Sequence, residues 1–228
     1  MNRARVQYIR QTLEDLYGKN AVTRGLRVVD VGCGGGLATE SLARMGLSVL
    51  GIDASHENIA VASIHAQGDP ILINSGRLEY RQVTAEQLLL ESNATASFDA
   101  VVSLEVIEHV NDPRSFVQSL VSLAKPGAPI FISTINRTML SYLVDVLVPE
   151  YLLRVIPAGT HEFDKFVTPE ELTGMIVDAG AMALDTRGLI LDPVFNNCFL
   201  APKHFGLLPN AGVQANYILA ARKNTSTS

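Results

Sequence analysis

Glu105, Glu108 and His109 stand at positions i, i+3 and i+4 of Ser103-Leu-Glu-Val-Ile-Glu-His-Val110. On an α-helix that spacing puts all three side chains on one face. Two carboxylates and an imidazole gathered in this way can hold a divalent cation, which would acidify a bound hydroxyl as a Lewis acid. Without a cation, His109 alone can take a proton as general base. A third reading makes the three residues structural, and imidazole is an unusual ligand for magnesium.

A second constellation lies upstream. Val28-Val-Asp-Val-Gly-Cys-Gly-Gly-Gly36 ends a short β-branched run in a glycine turn, the arrangement that brings backbone close to a nucleoside ligand. Gly32 and Gly34 permit that approach and the positive φ that goes with it. Asp53 follows Gly32 by 21 positions, at the expected tip of the next strand, where a carboxylate can accept both ribose hydroxyls. Such loops serve dinucleotides and S-adenosylmethionine alike. Asp30 separates the two, because an acid beneath the loop opposes a pyrophosphate and suits the ammonium group of a methionine moiety. Ala85 and Glu86, at the tip of a third strand, are expected to border the adenine. Leu104, at the tip of a fourth, is expected to pack beside the nucleoside or simply to be core.

These residues need a scaffold that gathers strand tips. Apolar runs at 26–31, 47–53, 78–83, 98–104 and 129–134 read as strands, and the fourth is apolar on both faces as a central parallel strand is. Helical patterns fill 37–45, 55–65 and the stretch opened by Asp112-Pro113, where an Asp cap precedes proline in the first turn. Thr168-Pro-Glu-Glu171 is a capping box for a further helix, and 183–190 and 215–222 read as two closing strands. Strands alternating with helices predict an α/β fold: a doubly wound, mostly parallel sheet of seven strands with helices on both faces. One domain over 1–223 is expected, with an insertion at about 137–166 and a disordered tail at 224–228.

Composition narrows the function classes. In 228 residues, 47% are hydrophobic and 18% charged, enough for one substantial core. The 18 basic residues against 23 acidic ones leave no footprint for gripping a phosphate backbone, which argues against nucleic acid. Cys33 and Cys198 form no CxxC or Cys/His pattern, so neither a disulfide framework nor a zinc site is expected. The basic start lacks the apolar core of a secretory signal. The greasiest stretch, 139–156, is interrupted by Asp145, Pro149, Glu150 and Arg154; it is expected not to cross a bilayer but to form a mobile cover that meets the membrane, its apolar side chains otherwise packing into the core or a dimer interface.

The two constellations, together with Ser133-Thr-Ile-Asn-Arg137, Gly159-Thr-His161 and Lys165-Phe166, resemble those of the ubiquinone-biosynthesis O-methyltransferases, the mitochondrial branch more than the bacterial one. The resemblance covers nearly the whole chain. It implies a class I, Rossmann-like methyltransferase fold and methylation of catechol hydroxyls on polyprenyl-dihydroxybenzoate and demethylubiquinol. It further implies S-adenosylmethionine as methyl donor, a divalent cation that is usually magnesium, and a cofactor contact from Arg5 together with Gly32, Asp53 and Leu104. Peripheral attachment to the matrix side of the mitochondrial inner membrane, within a complex of other ubiquinone-biosynthesis proteins, comes with it. Two departures stand out: Ala128 replaces a usual glycine, and an aromatic-rich segment before Asn2 is missing, so Met1 is expected to be a truncated or alternative start. His161 is expected either to reach the substrate or to be a surface hydrogen-bonding group.

Two rival readings are a scaffold that keeps the nucleoside pocket without turnover and a dinucleotide oxidoreductase. The intact Asp53 and Glu105 to His109 motif argue against the first. Asp30, and the lack of a hydride-transfer residue, argue against the second.

Overall fold

The computed structural model describes residues 2–91, 93–138, 165–192, 197–201 and 215–225. Eight strands form one sheet in the order β3-β2-β1-β4-β5-β8-β6-β7. Strands β1 (Arg27–Val31), β2 (Ser48–Asp53), β3 (Leu78–Gln82), β4 (Ala100–Leu104) and β5 (Pro129–Ile135) pair in parallel. Strands β6 (Ala181–Asp192), β7 (Asn197–Leu200) and β8 (Asn216–Lys223) complete it in antiparallel fashion, β8 lying between β5 and β6. Seven strands were expected; the eighth, β7, is a four-residue edge strand in a segment that reads as loop.

The pleat sorts successive side chains to opposite faces. Val28, Val49, Val102, Phe131 and Ile218 join one core, with Ile9 and Leu13 of α1 (Asn2–Tyr17) and Leu42 of α2 (Leu37–Arg44). Val29, Leu50, Val101, Ile132 and Leu219 join the other, with helices α5 (Ala85–Leu89), α6 (Pro113–Leu123) and α7 (Pro169–Asp178). Helices α3 (His56–Gln67) and α4 (Pro70–Ser75) pack near β2 and β3.

The caps read from sequence are in place. Asp112 accepts from the amides of Arg114 and Ser115 ahead of α6. Thr168 and Glu171 form the reciprocal capping box of α7. Helix α1 was not among the expected elements, although Ala4, Tyr8, Ile9 and Leu13 bury themselves at helical spacing. Among the described residues no helix is long and apolar enough to cross a membrane. The expected cover at 139–156, His161 and most of the insertion at 137–166 lie outside the described residues, as do 226–228 of the expected tail.

Candidate active site

The chain visits β1, β2 and β3 outward and then returns to the other side of β1 as β4. That reversal opens a crevice beyond the carboxyl ends of β1 and β4, and Gly32, Gly34, Asp53 and Leu104 stand at or just past the ends of β1, β2 and β4. Gly32 leaves β1 at φ +74° and Gly34 follows at φ +53°, both in the left-handed region. A Cβ on Gly32 would stand 2.4 Å from Cγ2 of Val106, so the loop can pass the β4 tip only without a side chain. The amides of Gly32 and Cys33 both donate to the Ile52 carbonyl, at 2.8 and 3.0 Å, which ties the loop to β2.

Asp53 ends β2 opposite that loop. Its Oδ2 accepts from the Gly34 amide at 2.9 Å, and its Oδ1 accepts from the Ser55 amide at 2.9 Å and from Asn58 Nδ2 at 3.2 Å. The carboxylate is therefore fixed facing the glycine turn, where a ribose diol would meet it. Asp30 lies one level below, buried on β1, where the Thr39 hydroxyl donates to it at 2.6 Å. Burial pushes its carboxyl up to about 6, so at neutral pH it is still mostly ionised and places negative charge beneath the loop. Ala85 and Glu86 open α5 just past β3. The Ala85 side chain is buried in the core, and Glu86 is exposed. Leu104 is partly buried at the β4 tip, where it packs against the core on the α1 side.

The shared helical face expected for Glu105, Glu108 and His109 is not what forms. Only eight residues, 105–112, separate the end of β4 from the start of α6, too few for a helix carrying all three and a turn at each end. Glu105 instead takes φ +58° by itself, and Ile107–His109 make a single 3-10 turn. The two glutamates are tethered by neighbouring residues of β5. Ser133 Oγ donates to Glu105 Oε1 at 2.9 Å, and Thr134 Oγ1 donates to Glu108 Oε2 at 2.8 Å. Successive strand residues face opposite sides, so Glu105 is held toward α1 and Glu108 toward α6 and α7.

Arg5 of α1, itself buried, reaches the first of these carboxylates with Nη2 2.5 Å from Glu105 Oε1. Glu108 is 4% exposed, and burial, with the nearby charge of Glu105, raises its carboxyl to about 7. His109 is exposed at the end of the turn. The magnesium implied by resemblance therefore does not fit these three residues: one carboxylate already neutralises an arginine, and the other is drawn to the far side of β5. Among the described residues no three His, Cys, Asp or Glu side chains are placed to share a metal ion. Ser133 and Thr134 were not assigned a role from sequence: they open the Ser133 to Arg137 motif, but no local signal ties them to acids 28 and 26 residues away.

A glycine turn and an acidic β2 tip at the switch point of a β3-β2-β1-β4-β5 sheet, closed by antiparallel β8, define a class I methyltransferase. A methyltransferase-domain model matches residues 29–132. The chain is 39% identical over 227 residues to a ubiquinone biosynthesis O-methyltransferase of Colwellia psychrerythraea, covering 98% of this chain and 85% of that one. It is 41% identical over 205 residues to a mitochondrial ubiquinone biosynthesis O-methyltransferase of Arabidopsis thaliana, covering 88% and 62%. Among solved structures it resembles magnesium protoporphyrin IX methyltransferase of Synechocystis with S-adenosylhomocysteine bound. The TM-score there is 0.64 at 19% identity, over 96% of this chain and 83% of that one. The chain belongs to the ubiquinone biosynthesis O-methyltransferase family, and it is an S-adenosylmethionine-dependent enzyme.

Proposed function

We propose that the protein methylates a phenolic hydroxyl of a prenylated catechol on the way to ubiquinone. The observation that carries the reading is Asp53 fixed at the β2 tip against the Gly34 amide, the anchor point for a ribose next to a crevice that ends at Glu105. S-adenosylmethionine, when bound, supplies a methyl group already activated on a sulfonium. What remains for the chain is to orient the acceptor oxygen and remove its proton. His109, exposed on the turn that follows β4, would take the proton of the acceptor hydroxyl as that oxygen receives the methyl group. Ser133 and Thr134 hold the acidic residues flanking that turn, and Asp30 supplies negative charge beneath the cofactor loop. No cation enters this scheme.

The names of the plant relative and of a Dictyostelium discoideum relative include a mitochondrial setting. With it we propose peripheral attachment to the inner membrane and association with other enzymes of the same route; fractionation of mitochondria checks both. The activity is tested with labelled S-adenosylmethionine and a prenylated catechol. His109→Ala should lose about 100-fold or more in turnover, the usual contribution of a positioned base, at unchanged cofactor affinity. A wild-type protein that binds the cofactor and methylates no catechol overturns the reading.

A further inference from the structure

The two carboxylate oxygens of Glu105 are used unequally. Arg5 Nη2 at 2.5 Å and Ser133 Oγ at 2.9 Å both donate to Oε1, and among the described residues nothing donates to Oε2. Arg5 and Ser133 are buried, whereas the Glu105 side chain is 26% exposed. The carboxylate is thus fastened by one oxygen and presents the other. Its backbone is committed to that pose. The Glu105 amide donates to the Ser133 carbonyl at 2.9 Å, and its φ of +58° is one that a non-glycine residue holds at a cost and that collects at functional sites. Resting on the reading above, we propose that Glu105 Oε2 accepts a hydrogen bond from the catechol hydroxyl that is not methylated, and so selects which of the two hydroxyls meets the methyl donor.

The place of Glu105 in the sheet fits that ligand group. On the reading above Asp53 marks the ribose at the end of β2, and the adenine lies toward β3. In the order β3-β2-β1-β4-β5 the methionine end then runs the other way, over β1 toward β4. Glu105 follows β4 directly and is tethered to β5, two strand spacings or about 10 Å beyond Asp53. It stands on the side from which the acceptor approaches. Val106, the next residue, packs against Gly32 of the cofactor loop. His109 ends the turn after it, its amide donating to the Val106 carbonyl at 2.9 Å. Glu105 and His109 therefore flank the residue that touches the loop.

The chemistry divides the same way. A carboxylate accepts strongly from an O–H and repels an oxygen that has lost its proton, so Glu105 holds the hydroxyl that keeps its hydrogen. The hydroxyls of a catechol sit on neighbouring carbons. Holding one on Oε2 therefore orients the other.

The test compares two prenylated phenols, a catechol and its analogue lacking one hydroxyl, by calorimetry on the full chain with S-adenosylhomocysteine bound; turnover is measured separately. Wild type should bind the catechol at least tenfold more tightly, the effect of a hydrogen bond to a charged group. In Glu105→Gln the side-chain carbonyl is claimed by Arg5 and Ser133 and an NH2 replaces Oε2, so most of that preference should vanish. Ser133→Ala keeps both charges, loosens Glu105 and should narrow the preference in the same sense; it carries the test if Glu105→Gln does not fold. A wild type without the preference, or a preference that survives in the folded variants, would overturn the proposal. Equal losses for both phenols together with weaker S-adenosylhomocysteine binding would overturn it too, by placing Glu105 on the ammonium group of the cofactor. A preference that collapses as expected, in a protein that methylates neither phenol, would leave the hydrogen bond standing and overturn the proposed reaction instead.

Discussion

Replacing Gly32 by alanine tests the packing of the cofactor loop against the β4 tip. Two terms add. Holding an alanine at φ +74° costs about 1–2 kcal/mol, because a Cβ crowds the following carbonyl in the left-handed region. The new methyl would also meet Val106 at 2.4 Å from Cγ2, 3.1 Å from Cγ1 and 3.3 Å from Cβ. Turning that side chain moves one methyl away and brings no relief from the Cβ, so backbone must shift, at about 1–3 kcal/mol for overpacking. Gly34→Ala provides the control: its φ is +53°, and nothing lies within 4 Å of a Cβ there, so only the conformational term applies. At roughly 2–4 °C per kcal/mol for a chain of this size, the melting temperature of Gly32→Ala should lie several degrees below that of Gly34→Ala. Adding Val106→Ala to Gly32→Ala should recover most of that gap, a coupling that a double-mutant cycle reads directly. Equal melting temperatures for the two alanine variants, or a Val106→Ala that restores nothing, would refute the contact and with it the account of why the loop needs glycine at that point.

Asp53→Ala should weaken S-adenosylmethionine binding at least tenfold, since a charged acceptor contributes about 1.5–3 kcal/mol; unchanged affinity by calorimetry in a folded variant would remove the ribose assignment. The Glu108 carboxyl is raised from its ordinary 4.5 to about 7 by burial, so the folded state holds its proton longer than the unfolded chain does. The stability this lends is full below about pH 4.5 and is lost as pH rises through 7. Glu108→Gln should therefore melt progressively higher relative to wild type from pH 5 to pH 8, and a constant difference across that range contradicts the shift. Because Glu105 already neutralises Arg5, magnesium at millimolar concentration should leave the melting temperature of the cofactor-free protein unchanged; a rise that disappears in Glu105→Gln would show that the acids do gather a cation.

The parallel half of the sheet was legible because its signals are local and mutually consistent. Strands apolar on both faces, glycine at the end of β1, an acid ending β2 and Asp112-Pro113 before α6 each point to one local structure, and the structure places them there. The glutamates show where such reading stops. A spacing of i, i+3 and i+4 implies a shared face only if the backbone is helical, and Glu105 takes a left-handed φ that its neighbours do not announce. What steers each acid is a hydroxyl on β5, 28 and 26 residues away, a contact only the sheet register creates. β7 was missed for a different reason, since four residues beginning with asparagine carry too short an alternation to register. For α1 the apolar spacing was present in the sequence, so that miss lay in the reading rather than in the residues.

The paired tethers on β5 also limit how this chain can change length. Ser133 and Thr134 serve opposite sides of the sheet, and β5 is aligned residue by residue with β4 on one flank and β8 on the other. Deleting or inserting one residue in 129–135 would exchange their orientations, leave both acids without their hydroxyls and turn Phe131 and Ile132 into each other's cores. No adjustment within the strand restores all four at once. Length variation among relatives should therefore gather in the connections after β5 and around the short edge strand β7, and stop sharply at Ile135.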